Sequence, residues 1–404
     1  MKKKLVLSLC GTSLLLAGQA MATNGDQMLG LTAMQWARGG AIVASPVDAP
    51  SIMYNPAAAG ELNIQDIGFD LGLGLLHAER SITNPAISTD SDSEEYLGLG
   101  TGVVKKISDK MYFGLAAGGV AGLGTDFSRS VADTAATGVV TTKGLLKVAP
   151  TLSFKPNDKL TIGVSAQLGY QTMAMDTAKF SLPQTGEFGF GGAIGAIYHV
   201  SPAVQIGASY ISEMDIAEYK FNGSHDADGL LPGATSIPGV YSFNMDAPSS
   251  AAFGVAFKPT SKLLIEADVK LYGFADVMKE EYLRDSTGAV VETLAFGWED
   301  QTVYALGVQY AVSPNLTVRA AYNYGETGID PEDVQYNLGS VATIEHHLSV
   351  GITKSWSPNL QTTLSYTHGF ENDVTGNVPT PGGMVSHTLE ASQDIAYFQL
   401  SYRM

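Results

Sequence analysis

From Leu160 onward apolar residues occupy every second position. Leu160, Ile162, Val164, Ala166, Leu168 and Tyr170 share one side of an extended chain, and Thr161, Gly163, Ser165, Gln167 and Gly169 the other. The alternation returns at Leu263, Ile265, Ala267, Val269 and Leu271 against Glu266, Asp268 and Lys270, and at Leu316, Val318, Ala320 and Tyr322 against Thr317, Arg319 and Asn323. Phe398, Leu400, Tyr402 and Met404 close the chain in the same way against Gln399, Ser401 and Arg403. Strands of about ten residues with an apolar outer face and a small, polar inner face are the pattern of a membrane β-barrel.

Six short clusters with turn chemistry punctuate these runs: Ser108-Asp109-Lys110, Pro156-Asn157-Asp158, Ser201-Pro202, Pro259-Thr260-Ser261, Ser313-Pro314-Asn315 and Ser357-Pro358-Asn359. The prolines at 156, 202, 259, 314 and 358 stand 46, 57, 55 and 44 residues apart, room for two long strands and one loop. Variable polar stretches fall between them, near Arg80–Glu94, Arg129–Val140, Glu213–Asp246, Lys279–Leu294, Glu326–Ala342 and Glu371–Leu389. One rim is therefore expected to carry tight turns and the other long loops. With both termini on the tight-turn side, six turns imply an all-β, antiparallel barrel of fourteen strands, an even number as a closed bacterial barrel requires. Tyr170, Tyr210, Tyr322 and Tyr366 fall where an aromatic girdle would mark the second membrane interface. A secreted β-propeller shares the repeat length, but its strands are shorter and four to a repeat.

Charge and composition narrow the function. The 404 residues carry 23 Lys and Arg against 40 Asp and Glu, a net charge of −17, which excludes a nucleic-acid binder relying on phosphate neutralisation. Residues 1–22 read as a signal peptide: Lys2, Lys3 and Lys4, then the apolar run Leu5–Leu16, then Ala20-Met21-Ala22 as a cleavage site. Cys10, the only cysteine, would leave with it; a lipoprotein reading of Leu7-Ser8-Leu9-Cys10 is disfavoured because the residue before the cysteine is not small. A thiol-free mature chain suits an oxidising compartment. No later stretch offers 18 consecutive apolar residues, so an exported barrel in the outer membrane of a Gram-negative bacterium is expected, as a monomer.

Residues 23–61 do not alternate. Gly25, Gly30, Gly39, Gly40 and Gly60 separate short apolar pieces, and the stretch is too apolar for a solvated tail, so it is expected as a hatch of short helices and turns in the lumen of a barrel spanning 62–404. Asn24-Gly25, the run Arg38-Gly39-Gly40-Ala41-Ile42-Val43-Ala44 with Asp48 following, and Asn55-Pro56-Ala57 before the first strand resemble the N-terminal signature of the FadL/TodX outer-membrane transport family for long-chain fatty acids and hydrocarbons. Gly114–Phe127, with Gly122-Leu123-Gly124-Thr125-Asp126-Phe127, resembles that family's third strand.

The resemblance implies a hatch-plugged, fourteen-stranded barrel. It implies that ligand, held near Thr23, Asn24 and Gly25, leaves laterally through a kink in the third strand, at Gly118, Gly119, Gly122 and Gly124. Glycines inside a strand permit such a bend; they also let a hatch element pack closely, and the two readings coexist. The chain departs from the family in its short loop after the fifth strand, near Asp176–Gly186, and in ending at Met404 rather than Phe.

The resulting expectation is passive uptake of a hydrophobic small molecule, a long-chain fatty acid before a neutral hydrocarbon, among outer-membrane lipid and lipopolysaccharide. Lys147, Lys179, Lys270 and Arg319 are candidate carboxylate partners by strand parity or loop position, against the plainer role of pairing with Glu266, Asp268 or other inward acids. A nonspecific diffusion porin is the alternative, and a phage or adhesion receptor is compatible with either.

No catalytic residue, cofactor or metal site is expected. His346-His347 point to opposite faces of a strand and cannot chelate together. Gly98, Gly100 and Gly102 lack the helix and lysine of a phosphate loop and more simply make lumen space. Asp90, Asp92, Glu94 and Glu95 form an acidic loop, with a cation bridging lipopolysaccharide as the less favoured alternative to simple solvation. His347 and Ser349 share a strand face as a nucleophile and base would, but nothing in the sequence orients the imidazole.

Overall fold

The computed structural model describes residues 23–128, 138–177, 179–226, 236–380 and 382–404. The signal peptide assigned to 1–22 and most of the loop beginning at Arg129 lie outside the described residues. The described chain forms a closed barrel of fourteen strands: β1 (Ile67–Thr83), β2 (Glu95–Lys106), β3 (Met111–Asp126), β4 (Val140–Asn157), β5 (Leu160–Asp176), β6 (Phe180–Ser201), β7 (Val204–Ile211), β8 (Ser250–Phe257), β9 (Leu263–Tyr272), β10 (Gln301–Ser313), β11 (Leu316–Gly325), β12 (His346–Ser355), β13 (Leu360–Thr380) and β14 (Gly383–Arg403). Every strand pairs antiparallel with its sequence neighbour, and β14 returns to β1 from Gly68 opposite Arg403 to Thr83 opposite Thr388. Closure leaves no free sheet edge running the height of the wall, as a lipid-facing backbone requires.

The six turn clusters join β2 to β3, β4 to β5, β6 to β7, β8 to β9, β10 to β11 and β12 to β13, and both ends of the barrel lie on that rim. At the opposite rim, four stretches read from sequence as polar loops contain strands, the first being Ser88–Asp90 against Ser81–Thr83 of β1. Tyr219–Asp226 pairs with Ser236–Phe243, Glu281–Arg284 pairs with Val290–Leu294, and β13 and β14 continue as a hairpin to Thr380 and Gly383. The reason lies in a few apolar residues inside polar surroundings. Tyr219, Phe221, Tyr241 and Phe243 bury one another, the Phe221 and Phe243 rings stacking at 5.4 Å, and Val374, Val378 and Leu389 are buried along the last hairpin.

Alternation sets the two faces of the wall. Val164 is 54% exposed between Leu152 and Ile194 of the neighbouring strands, while Thr161, Ser165 and Gln167 are buried inside. Tyr170, Tyr210, Tyr322 and Tyr366 are all exposed on the outer surface, on the half of the barrel away from the tight turns.

The lumen is filled by the N-terminal segment. A helical turn at Ala33–Trp36, a 3-10 turn at Ala49–Met53 and a last turn at Ala58–Glu61 precede β1. Gly39 and Gly40, at φ +57° and +79°, turn the chain after the first helical turn in a conformation that side chains with a Cβ resist. Asp48 caps the 3-10 turn, accepting from the Ser51 N–H at 3.2 Å while the Ser51 hydroxyl reaches back to the Asp48 N–H, with Pro50 in the first turn. Gly100 and Gly102 face the backbone of Leu31 and of Ala49-Pro50 so closely that a Cβ at either position would collide with it.

Candidate functional site

The hatch is fastened by acids that point inward from one strand. On β9, Glu266 accepts the backbone N–H groups of Ala44 at 2.8 Å and Ser45 at 3.1 Å and pairs with Arg38, both side chains being buried. Asp268 accepts from Ile42 at 2.8 Å and Val43 at 3.0 Å. An otherwise unpaired stretch of backbone, Ile42–Ser45, thus finds its acceptors on the wall, which is why the two carboxylates tolerate burial. Asp70 of β1 adds a further tie, accepting from the Ala49 N–H at 2.8 Å and pairing with Arg403 at 2.8 Å.

Asn55-Pro56-Ala57 lies at the foot of the hatch. The Asn55 amide donates to the Val43 carbonyl at 2.8 Å, its oxygen accepts from the Ala57 N–H at 3.0 Å, and the Pro56 carbonyl accepts from Ser153 of β4 at 2.6 Å. Gly163 and Gly195 of the wall leave room for this backbone. Below it Glu61 meets Thr161, Lys155 at 3.3 Å and His199 at 2.7 Å. Burial opposes ionisation of Glu61, but the Thr161 hydroxyl, Lys155 and His199 outweigh it and hold the carboxyl below its ordinary range.

The wall changes character along β3. From Tyr112 to Gly118 it pairs with β2, ending at Gly118 opposite Gly100. Beyond that, Glu95–Leu99 of β2 pair with β1 alone, β3 carries a bulge against β4 between Gly119 and Ala121, and residues Val120–Thr125 are all buried, the alternation lost. The hatch takes over as the partner of β3: the Gly122 N–H donates to Asp26 O at 2.9 Å and Val120 O accepts from the Met28 N–H at 3.0 Å. Above the gap the loop that leads into β2 meets the end of β3, where Asp126 O accepts from the Asp92 N–H at 2.8 Å. Gly118 stands at the lower end of this interruption, and Gly119, Gly122 and Gly124 within it.

Thr23, Asn24 and Gly25 lie beside it, away from the tight-turn rim. All are buried; Asn24 and Gln27 exchange backbone hydrogen bonds at 3.0 and 3.1 Å, and Gly25, at φ +58°, abuts the Phe274 and Trp298 rings. Phe274, Trp298, Met173, Met175, Met214, Met245 and Met278 belong to one apolar cluster that roofs the hatch on that side. Methionine and aromatic side chains make such a lining adaptable.

The four candidate cations separate. Lys179 is exposed and pairs with Glu292 at 2.9 Å; Lys270 donates to Gly40 O at 2.9 Å under the Tyr54 ring; Arg319 is held by Gln309 at 2.8 Å and Thr353 at 2.5 Å. Lys147, on β4 opposite Gly118, is buried and makes no hydrogen bond or ion pair among the described residues. Reading the sequence missed Lys143, which pairs with Asp26 at 2.8 Å, and Arg80, buried on β1. Strand parity would have flagged both: each falls on the inward face.

The remaining candidates keep ordinary roles. His346 faces out, against Tyr322 at 2.6 Å, and His347 faces in, next to Gln393 at 3.0 Å; Ser349 bonds to Thr367 at 2.8 Å rather than to His347. On the rim of long loops, burial pushes the carboxyls of Glu213, Asp246 and Glu281 up, Glu281 to about 7, with the Asp246 charge adding to the shift of Glu213 and Glu281.

Known proteins share this architecture. A sequence model described as "Outer membrane protein transport protein (OMPP1/FadL/TodX)" matches residues 13–404. A 47 kDa outer membrane protein of Pasteurella multocida is 26% identical over 196 residues, a stretch covering 46% of this chain and 44% of that protein, so the chain matches less than half the length of this curated relative. Among solved structures, the toluene transporter TodX of Pseudomonas putida is similar with a TM-score of 0.75 at 19% identity, over 93% of this chain and 99% of that one. A Pseudomonas aeruginosa FadL homologue gives 0.79 at 15% identity over 94% and 99%, and the Ralstonia pickettii toluene transporter TbuX 0.74 at 17% over 94% and 99%. At these identities the structural likeness establishes the fold.

Proposed function

Because the chain belongs to the OMPP1/FadL/TodX family of outer-membrane transport proteins for hydrophobic compounds, we propose that it carries long-chain fatty acids inward by passive diffusion and releases them sideways, between β2 and β3. The observation that carries the substrate choice is Lys147. A buried ammonium with no hydrogen-bond or ion-pair partner among the described residues is costly in a low-dielectric lumen, and an incoming carboxylate relieves that cost. The methionine and aromatic roof above the hatch would hold the acyl chain.

The side route follows from energetics. Apolar transfer is worth roughly 0.8 kcal/mol per CH₂, so a sixteen-carbon chain forced across open water would lose on the order of ten kcal/mol. A break in strand pairing lined by the hatch avoids both that loss and the exposure of bare backbone to lipid.

A neutral aromatic hydrocarbon is the second reading, supported by the stacked Tyr219, Phe221 and Phe243 rings and by the Phe274–Trp298 pair next to Gly25. Native mass spectrometry of the purified barrel distinguishes the two. Co-purified fatty acid supports the first reading, and recovery of neutral aromatics alone replaces it with the second.

A further inference from the structure

The interruption between β2 and β3 is spanned by one side chain. Tyr96 lies in the segment of β2 that pairs only with β1, and its ring is turned inward and buried. Its hydroxyl lies 2.8 Å from Ser93 O and 3.4 Å from Gly124 O, so it reaches from β2 to the bulged part of β3. The ring belongs to an apolar cluster with Met28, Leu29 and Trp36 of the hatch and Leu76 of β1. The break is therefore closed from within by a residue whose polar tip holds the far strand.

Behind Tyr96 stands Arg80. It is 5% exposed, donates to the Tyr96 hydroxyl at 3.0 Å, and holds its guanidinium 5.5 Å from the centre of that ring. Among the described residues no carboxylate lies within ion-pair distance of it. Of the other inward arginines, Arg38 and Arg403 have Glu266 and Asp70 respectively, and Arg319 is held by the neutral Gln309 and Thr353 on the far side of the barrel from the break. A carboxylate offers a buried guanidinium two parallel, charge-assisted bonds where the Tyr96 phenol offers one neutral bond, so an acid would compete favourably for the Arg80 donors.

We propose that Arg80 selects carboxylate ligands at the exit and that Tyr96 is the shutter it controls. A carboxylate arriving at the break takes the Arg80 donors, Tyr96 loses its anchor, and the ring swings from the path. This rests on the lateral fatty-acid reading above and adds to it a residue that discriminates acids from hydrocarbons of equal length.

The test uses the purified full barrel in phosphatidylcholine vesicles, which supply no lipopolysaccharide phosphate or other anionic lipid to occupy Arg80. Uptake of palmitate and of hexadecane is measured side by side. Arg80→Met, which keeps most of the apolar stem but removes both the anion donors and the anchor of Tyr96, should lower the palmitate-to-hexadecane uptake ratio tenfold or more, with hexadecane uptake rising as the shutter loosens. Arg80→Lys should recover the palmitate preference in part, and Tyr96→Phe, which unfastens the shutter, should raise hexadecane uptake severalfold. A variant Arg80→Met with an unchanged palmitate-to-hexadecane ratio, whether both rates fall or neither does, overturns the proposal. If Arg80→Met does not assemble, Tyr96→Phe decides: unchanged hexadecane uptake removes the shutter. Failure of the unmodified protein to carry palmitate is a separate result, which removes the fatty-acid reading itself.

Discussion

The Asn55 side-chain amide donates to the Val43 carbonyl at 2.8 Å, tying the foot of the hatch to the segment that Glu266 and Asp268 clasp on the opposite strand. Asn55→Ala removes that bond and leaves the Val43 carbonyl buried without it, a cost of about 1 to 3 kcal/mol borne by the hatch rather than by the wall. Uptake should fall while the barrel still shows heat-modifiable migration on a gel. Uptake at the normal rate would detach this motif from transport.

The second prediction concerns the β9 clasp. Glu266→Ala strips the acceptor from Arg38, Ala44 and Ser45 together. A barrel whose hatch is loosened should conduct ions, so planar bilayers should show frequent openings with the variant and few with the unmodified chain. Large steady steps from the unmodified protein would instead indicate an open porin.

Lipid exposure is tested at Val164, which is 54% exposed at mid-strand. Val164→Arg should cost about 2 to 4 kcal/mol in reversible unfolding from bilayers, the range for a cation at the membrane midplane. A change near zero would mean that this face does not meet hydrocarbon.

The strand architecture was legible because each wall residue has one of two environments, and Thr161 to Tyr170 or Glu266 to Leu271 spell that choice out residue by residue. The turns were legible for the same local reason, since Pro156-Asn157-Asp158 and its counterparts carry their conformation in their own chemistry. The clasp was not. Glu266 and Asp268 could be placed inside by parity, but their partners Arg38 and Ile42–Ser45 lie more than 220 residues away, and no spacing rule links the two. Pairing likewise separated Lys147 from Lys270 and Arg319: all three face inward, and only packing reveals which has a partner. The extra hairpins at the long-loop rim went unread because a few rings such as Phe221 and Phe243 drive them within polar surroundings.

Proton linkage bears on the rim of long loops. Glu281 opens a short strand of that rim, and burial together with Asp246 raises its carboxyl to about 7 in the folded protein from an ordinary value near 4.5. The folded form therefore binds this proton more tightly than the unfolded one. Its contribution is complete below about pH 4.5 and is lost as pH rises through about 7. Limited proteolysis of the 281–294 hairpin should be faster at pH 8 than at pH 5.5, and Glu281→Gln should flatten the difference. The same pH dependence in that variant would assign it to another group.

The lateral exit is tested most directly by fastening it shut. Leu97→Cys and Gly122→Cys place thiols on the two sides of the break, on β2 and β3, in a chain whose only other cysteine is Cys10. A short reducible thiol crosslinker joining them, with closure verified by mass, should abolish fatty-acid uptake while barrel yield and each single-cysteine control stay normal, and reduction should restore the rate. Full uptake with the crosslink shown to be closed would contradict the account and mean that the ligand travels along the barrel axis.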